Sequence, residues 1–258
     1  MEMTRVNGFR LAYDRLGLGA PLLLLHGFPL DHSTWSPLAA CLEANFDLIM
    51  PDLPGFGQSG LPEAEYSFED VASDLAELLD HLNLQKAYIA GHSMGGYVAL
   101  AFAHLYPTRV LGLALIGSQA LPDTPERKAS RYDTAGQVAL NGCEAVMGMA
   151  EKLSATPRFV PFFHEVILRQ QPTGLIYALK AMSARPNAIN FLESFKFPVA
   201  LVHGLADVLI PPERAREIKS LLPQATLTEL PGVGHTPMLE APEQTALALL
   251  MMRKQKAI

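Results

Sequence analysis

The chain has 258 residues, too many for a small disulfide module and few for two full-sized domains. Hydrophobic residues make up 49% and charged residues 18%, a balance that supports a thick core and excludes a disordered or fibrous protein. The net charge of −6 argues against a duplex nucleic-acid partner, whose phosphates demand clustered Lys and Arg. In chain order, residues 1–15 carry Glu2, Arg5, Arg10 and Asp14 and lack the apolar core of a signal peptide. Residues 3–7 and 9–15 read as two strands joined at Asn7-Gly8, a hairpin signal. Pro21 to Leu25 is an apolar run suited to a central buried strand, and Phe46 to Pro51 is another. Ser67 to Leu82 places Phe68, Val71, Leu75, Leu78, Leu79 and Leu82 at helical spacing, with Ser67 as N-cap and Asp70 as its capping-box partner. Ala87 to Ala90 and Val110 to Ile116 read as strands on either side of a helix at Met94 to Leu105.

Beyond residue 121 this alternation stops. Helical patterns follow one another as far as Lys196, cut by Pro122, Pro125, Pro157, Pro161, Pro172 and Pro186, which reads as an inserted helical cap. Strands resume at Val199 to Val202 and Ala225 to Leu230, with helices at Glu213 to Leu222 and Pro242 to Lys254. The short basic run Arg253-Lys254-Gln255-Lys256 reads as a solvated helix end. About eight strands alternating with helices predict an α/β fold, a mostly parallel sheet flanked by helices. Residues 1–120 and 197–258 form the expected core domain, and 121–196 the cap. Cys41 and Cys143 lie far apart without a C-x-x-C, so neither a disulfide framework nor a zinc site is indicated. No stretch approaches the ~18 apolar residues of a membrane span, and a cytoplasmic protein is expected.

The chemistry concentrates in Tyr88-Ile89-Ala90-Gly91-His92-Ser93-Met94-Gly95-Gly96, a G-x-S-x-G match where a strand ends and a helix begins. At such a junction the motif forms a sharp turn that holds the serine oxygen clear of the backbone. Ser59, in Gly57-Gln58-Ser59-Gly60, lacks the second spaced glycine. A serine hydroxyl is a weak nucleophile and needs a base in hydrogen-bond reach, itself oriented by a third group. Of the eight histidines, His81 and His104 fall in helical patterns, and His32 and His164 have no supporting motif. His92 sits inside the turn, pointing away from the attacking side, and His203 ends an apolar strand as a packed or hydrogen-bonded residue. His235, in Gly232-Val233-Gly234-His235-Thr236-Pro237 after the final strand, is the candidate base. Asp207, just past the seventh strand, is the candidate acid, with Asp123 past the sixth as the alternative. For an oxyanion, the donors expected are the backbone N–H of Met94, at a helix start, and that of Phe28, in Leu25-His26-Gly27-Phe28-Pro29.

With these motifs the sequence resembles the α/β-hydrolase fold enzymes over essentially its whole length. The matching pieces are His26-Gly27-Phe28-Pro29 with Trp35 downstream, Asp52-Leu53-Pro54-Gly55-Phe56-Gly57-Gln58-Ser59, the Ser93 turn, Gly204 to Asp207, and Gly234-His235. The order Ser93, Asp207, His235 is the nucleophile–acid–base order of that fold. The Asp52 to Ser59 stretch is similar to a family turn that is usually structural. The resemblance implies a serine hydrolase that cleaves carboxylic esters of small molecules through an acyl-enzyme, a broad-specificity carboxylesterase with no cofactor and no metal. Its partner would be a small-molecule ester or lactone, with no nucleic acid and no membrane, and a homodimer is left open. Ser93 separates the chain from similar haloalkane dehalogenases and epoxide hydrolases, which carry aspartate at that position. Enol-lactonases, C–C hydrolases, perhydrolases and small-molecule receptors of the same fold remain open. The cap is expected to decide among them through Met147, Met149, Phe159, Phe162, Phe163, Met182, Phe191, Phe195 and Phe197. Between residues 121 and 197 nine Lys or Arg face seven Asp or Glu, a net of +2, against −8 elsewhere, an asymmetry that would favour a carboxylate-bearing substrate.

Overall fold

The computed structural model describes residues 1–255, so Lys256 of the basic run lies outside the described residues. Strands β1 (Glu2–Val6), β2 (Phe9–Leu16), β3 (Ala20–Leu25), β4 (Phe46–Pro51), β5 (Ala87–His92), β6 (Val110–Ile116), β7 (Val199–Gly204) and β8 (Thr226–Leu230) form one sheet in the order β1-β2-β4-β3-β5-β6-β7-β8. The pairs β1–β2 and β2–β4 are antiparallel and the remaining pairs parallel. The opening hairpin sets Val6 opposite Phe9 across a two-residue turn, where Asn7 and Gly8 both take positive φ. That geometry matches the twist of the flanking strands, and it is why Asn-Gly marks such turns. Leu22 to Leu25 of β3 are fully buried. A strand covered on both faces reads as an unbroken apolar run rather than an alternating one.

The helices are α1 (Ser36–Leu42), α2 (Phe68–His81), α3 (Met94–Leu105), α4 (Pro125–Asn141), α5 (Val160–Leu168), α6 (Pro172–Ala184), α7 (Ile189–Leu192), α8 (Glu213–Leu221), α9 (Pro237–Glu240) and α10 (Pro242–Lys254). The capping box at α2 is complete. Ser67 Oγ accepts from the Asp70 N–H at 3.1 Å, and Asp70 Oδ2 accepts from the Ser67 N–H at 2.8 Å. Helix α1 and the 3₁₀ turn His32–Trp35 before it have no counterpart in the sequence reading, since seven residues supply too little helical period to register.

Among the described residues, α4 to α7 and the 3₁₀ turns between them fill the whole connection from β6 to β7 without a strand. This segment is bonded to the loops that follow β3, β4 and β8. Arg169 forks onto Asp31 at 2.7 and 2.9 Å, Gln170 Oε1 accepts from the Gly57 N–H at 2.8 Å, and Thr236 Oγ1 donates to the Leu153 carbonyl at 3.0 Å. The helical segment therefore lies against the carboxyl edge of the sheet, where open α/β sheets place their ligands. No helix of the described residues is long and apolar enough to cross a membrane.

Candidate active site

Ser93 joins β5 to α3 with φ 50 and ψ −113, a conformation that side chains other than glycine rarely hold. Two close approaches keep the turn sharp. A Cβ on Gly91 would fall on the Gly95 carbonyl, and one on Gly95 would fall on the Leu25 carbonyl of the neighbouring strand. The consequence is a half-buried hydroxyl held at the strand end, with Met94 as the first residue of α3. The Met94 N–H, like every first helical N–H, has no partner within its helix. On the other side, a Cβ on Gly27 would lie 3.1 Å from Ser93 Cβ, which puts the Phe28 loop directly beside the serine. Among the described residues, neither the Phe28 nor the Met94 N–H donates to a protein acceptor. Two free donors thus flank the Ser93 side chain.

Asp207 and His235 meet after β7 and β8. His235 Nδ1 and Asp207 Oδ2 are 2.7 Å apart, with both residues buried. Asp207 Oδ1 accepts from the N–H groups of Leu209 and Ile210 at 2.8 and 3.0 Å. Burial alone would raise the Asp207 carboxyl, but His235, His203 and the Ile210 N–H together hold it well below the usual carboxylate range. An ionised Asp207 can only accept, so Nδ1 of His235 carries a hydrogen, and in the neutral ring Nε2 keeps its lone pair. His203 Nε2 donates to the Ile210 carbonyl at 2.8 Å and lies 3.4 Å from Asp207 Oδ2, a hydrogen-bonded core histidine as its sequence position suggests. Among the described residues, no hydrogen bond joins the Ser93 hydroxyl to His235. In ligand-free hydrolytic sites that contact is often long and tightens when substrate arrives.

Three further residues hold this arrangement, and the sequence reading assigns a role to none of them. His92 is fully buried, and its Nε2 donates to the His235 carbonyl at 2.8 Å. Burial and the nearby His235 push its pKa well down, so it stays neutral. Glu240 accepts from the N–H groups of Gly234 and Thr236 at 3.1 and 3.3 Å, one residue either side of His235, and from the Ala155 N–H of the helical segment at 2.9 Å. His26 Nε2 accepts from the Leu53 N–H at 2.9 Å while Nδ1 lies 3.0 Å from the Gly27 carbonyl, bracing the Phe28 loop. The His92 and His26 roles come from contacts between distant segments, and Glu240 adds one to Ala155 to the bonds it makes within its own loop; no local motif announces them.

The other candidates fall elsewhere. Asp123 is buried under three guanidinium groups, paired with Arg131 and with Arg185 at 2.9 Å, and is committed to that cluster. Asp52 serves the loop around it, since Oδ1 takes the His32 N–H and ring and Oδ2 takes the Gln58 N–H at 2.8 Å. Asp31, His32 and Asp52 could offer a metal three ligand atoms within 4.8 Å, but Arg169 already occupies both Asp31 oxygens. Of the Met and Phe set, Phe163, Met182, Phe195 and Phe197 are buried as core, and Met149 lines a cavity with Phe28.

Comparison with known proteins places the chain in a family. The family model of the alpha/beta hydrolase fold matches residues 20–148, which include the Phe28 loop and Ser93. Lipase 1 of Psychrobacter immobilis is 30% identical, over 95% of this chain and 81% of its own. A thermophilic esterase from Thermogutta terrifontis, solved with malate bound, superposes with a TM-score of 0.93 at 34% identity over 97% of both chains. The enol-lactonase from Burkholderia xenovorans LB400 reaches a TM-score of 0.91 at 22% identity over 98% of this chain and all of its own, a likeness of fold. The chain belongs to the alpha/beta hydrolase fold family.

Proposed function

We propose that the protein is a serine hydrolase that cleaves carboxylic esters of small molecules through an acyl-enzyme. The observation that carries this reading is the buried 2.7 Å bond between His235 Nδ1 and Asp207 Oδ2, which leaves Nε2 free to take a proton. Ser93 Oγ attacks the ester carbonyl carbon and passes its proton to His235 Nε2. The Phe28 and Met94 N–H groups receive the charge that develops on the carbonyl oxygen. As the tetrahedral centre collapses, the imidazolium returns the proton to the departing alcohol and the acyl group stays on Ser93. Water then repeats the sequence and releases the acid. Asp207 keeps the imidazole in the correct tautomer and balances its charge. The helical segment acts as a cap over the site, and broad tolerance of short acyl groups follows, since an apolar wall discriminates by only ~1–3 kcal/mol per methylene.

The test is covalent and kinetic together. A fluorophosphonate should label the wild-type protein and not Ser93→Ala, and the substitution should lower ester turnover by on the order of 10⁴ or more. Labelling that persists in Ser93→Ala would sink the assignment. Turnover of one lactone and no open-chain ester would move the reading to a lactonase.

A further inference from the structure

Helix α4 turns one face to a cavity of about 460 Å³ whose wall also includes Phe28, Met149 and Leu179. On that face Arg127, Ser130, Arg131 and Thr134 recur at helical spacing. Phe28, which lines the cavity, belongs to the loop packed beside Ser93 and so links the cavity to the proposed nucleophile. Its volume sits within the roughly 300–1,000 Å³ of small-molecule sites, which pair apolar walls with a few placed polar groups.

Arg127 and Arg131 line this wall and share their counter-charge with Arg185, which does not. Arg127, Arg131 and Arg185 converge on the single carboxylate of Asp123. Arg131 and Arg185 take the close contacts to it. Arg127 is left 3.7 Å away with its side chain 45% exposed, and its other contacts are long ones of 3.4 and 3.5 Å to the Leu209 carbonyl. Glu126 also borders the cavity; its own backbone N–H and Thr124 hold its carboxyl below its usual range, so it is ionised, and the wall sets one carboxylate against the two guanidinium groups of Arg127 and Arg131. Arg127 and Arg131 stand one turn apart and repel each other. A second carboxylate between them would relieve that repulsion and gain charge-assisted hydrogen bonds.

We propose that this cavity is a subsite for a carboxylate carried by the ester substrate, with Arg127 as its principal donor. The proposal rests on the ester-hydrolase reading above and names the substrate class for it: esters whose acyl or alcohol part bears a free carboxylate. A neutral ester fills the apolar wall of Phe28, Met149 and Leu179 but leaves Arg127 with only its 3.7 Å contact to the shared Asp123 carboxylate.

Two matched pairs test it and separate the two halves of the ester. The 4-nitrophenyl hemiester of succinic acid is compared with 4-nitrophenyl butyrate, and 4-acetoxybenzoate with 4-acetoxybenzamide. In at least one pair the anionic member should have the higher kcat/KM, by on the order of tenfold at low salt. The preference should shrink as salt rises. Arg127→Gln should bring that ratio toward one, and the ratio is insensitive to general damage because both members report on the same protein preparation. The pair that responds tells whether the carboxylate belongs to the acyl or the alcohol side. A neutral preference in both pairs, or a ratio unmoved by Arg127→Gln, overturns the subsite and leaves the esterase reading standing. Hydrolysis of none of the four esters, with Ser93 unlabelled by fluorophosphonate, overturns that reading and the subsite with it.

Discussion

Asp207 accepts three hydrogen bonds, and that limits what can replace it. Its Oδ1 takes the Leu209 and Ile210 N–H groups, and its Oδ2 faces His235 Nδ1 with His203 Nε2 nearby. In Asp207→Asn the amide oxygen must stay with the two backbone donors, so the amide NH₂ is turned to His235. That forces the imidazole hydrogen onto Nε2 and removes the lone pair Ser93 would need. Turnover should fall roughly 10³ to 10⁴-fold with little change in KM or Tm, which steady-state kinetics and thermal unfolding would check. A near-wild-type kcat would remove Asp207 from the mechanism. The candidate residues Ser93, Asp207 and His235 are legible in sequence because each sits in a glycine-marked strand-end loop, a local pattern. His92 and Glu240 are not. His92 occupies the variable position of G-x-S-x-G and acquires its partner from 143 residues away, the His235 carbonyl.

At the scale of the element, α2 shows how a legible helix can carry an illegible strain. Its N-terminus is readable because Ser67 and Asp70 satisfy each other across one turn. Asp74 is different. Burial drives its carboxyl up, a bond from Asn7 Nδ2 at 2.7 Å pulls it back, and Asp70 and Glu77 on the same helix push it up again, to about 6. The hairpin turn itself is local, but its contact with α2 joins residues 67 apart in sequence, so no periodicity foretells it. A carboxyl whose folded pKa is raised favours the fold at low pH. The benefit is complete below its unfolded value near 3.9 and is lost as pH rises through about 6. Asp74→Asn keeps an oxygen to accept from Asn7 and carries no charge. It should therefore be more stable than wild type at pH 8 by about 1–2 kcal/mol, and equal to it near pH 4. Urea unfolding at the two pH values checks this, and a gain of the same size at both would show that charge is not the cause.

Across the whole molecule, the helical segment and the sheet share one continuous apolar core, in which Phe163, Val166, Ile167 and Leu175 bury alongside Leu22 to Leu25 and Ile116. The absence of strands between β6 and β7 is legible from the lost alternation, whereas the joints that seat the segment on the sheet are side-chain pairings that no local pattern contains. The Asp31–Arg169 fork is one such joint. Asp31 lies after β3 and is 1% exposed, while Arg169 ends α5 with its side chain 48% exposed. Burial would raise the Asp31 carboxyl, but Arg169 and Ser33 outweigh it and hold the pKa at about 2. A depressed folded pKa contributes stability above the unfolded value near 3.9 and loses it as pH falls through about 2. Asp31→Asn should therefore cost about 1–2 kcal/mol at pH 7, a modest figure because the guanidinium left behind stays half in water. The gap between variant and wild type should narrow steadily from pH 4 towards pH 2, and fluorescence and circular dichroism should report one transition, because the core is continuous. Equal stability at pH 7 would show that the fork contributes nothing. Two separate transitions would show that the helical segment folds as a unit of its own.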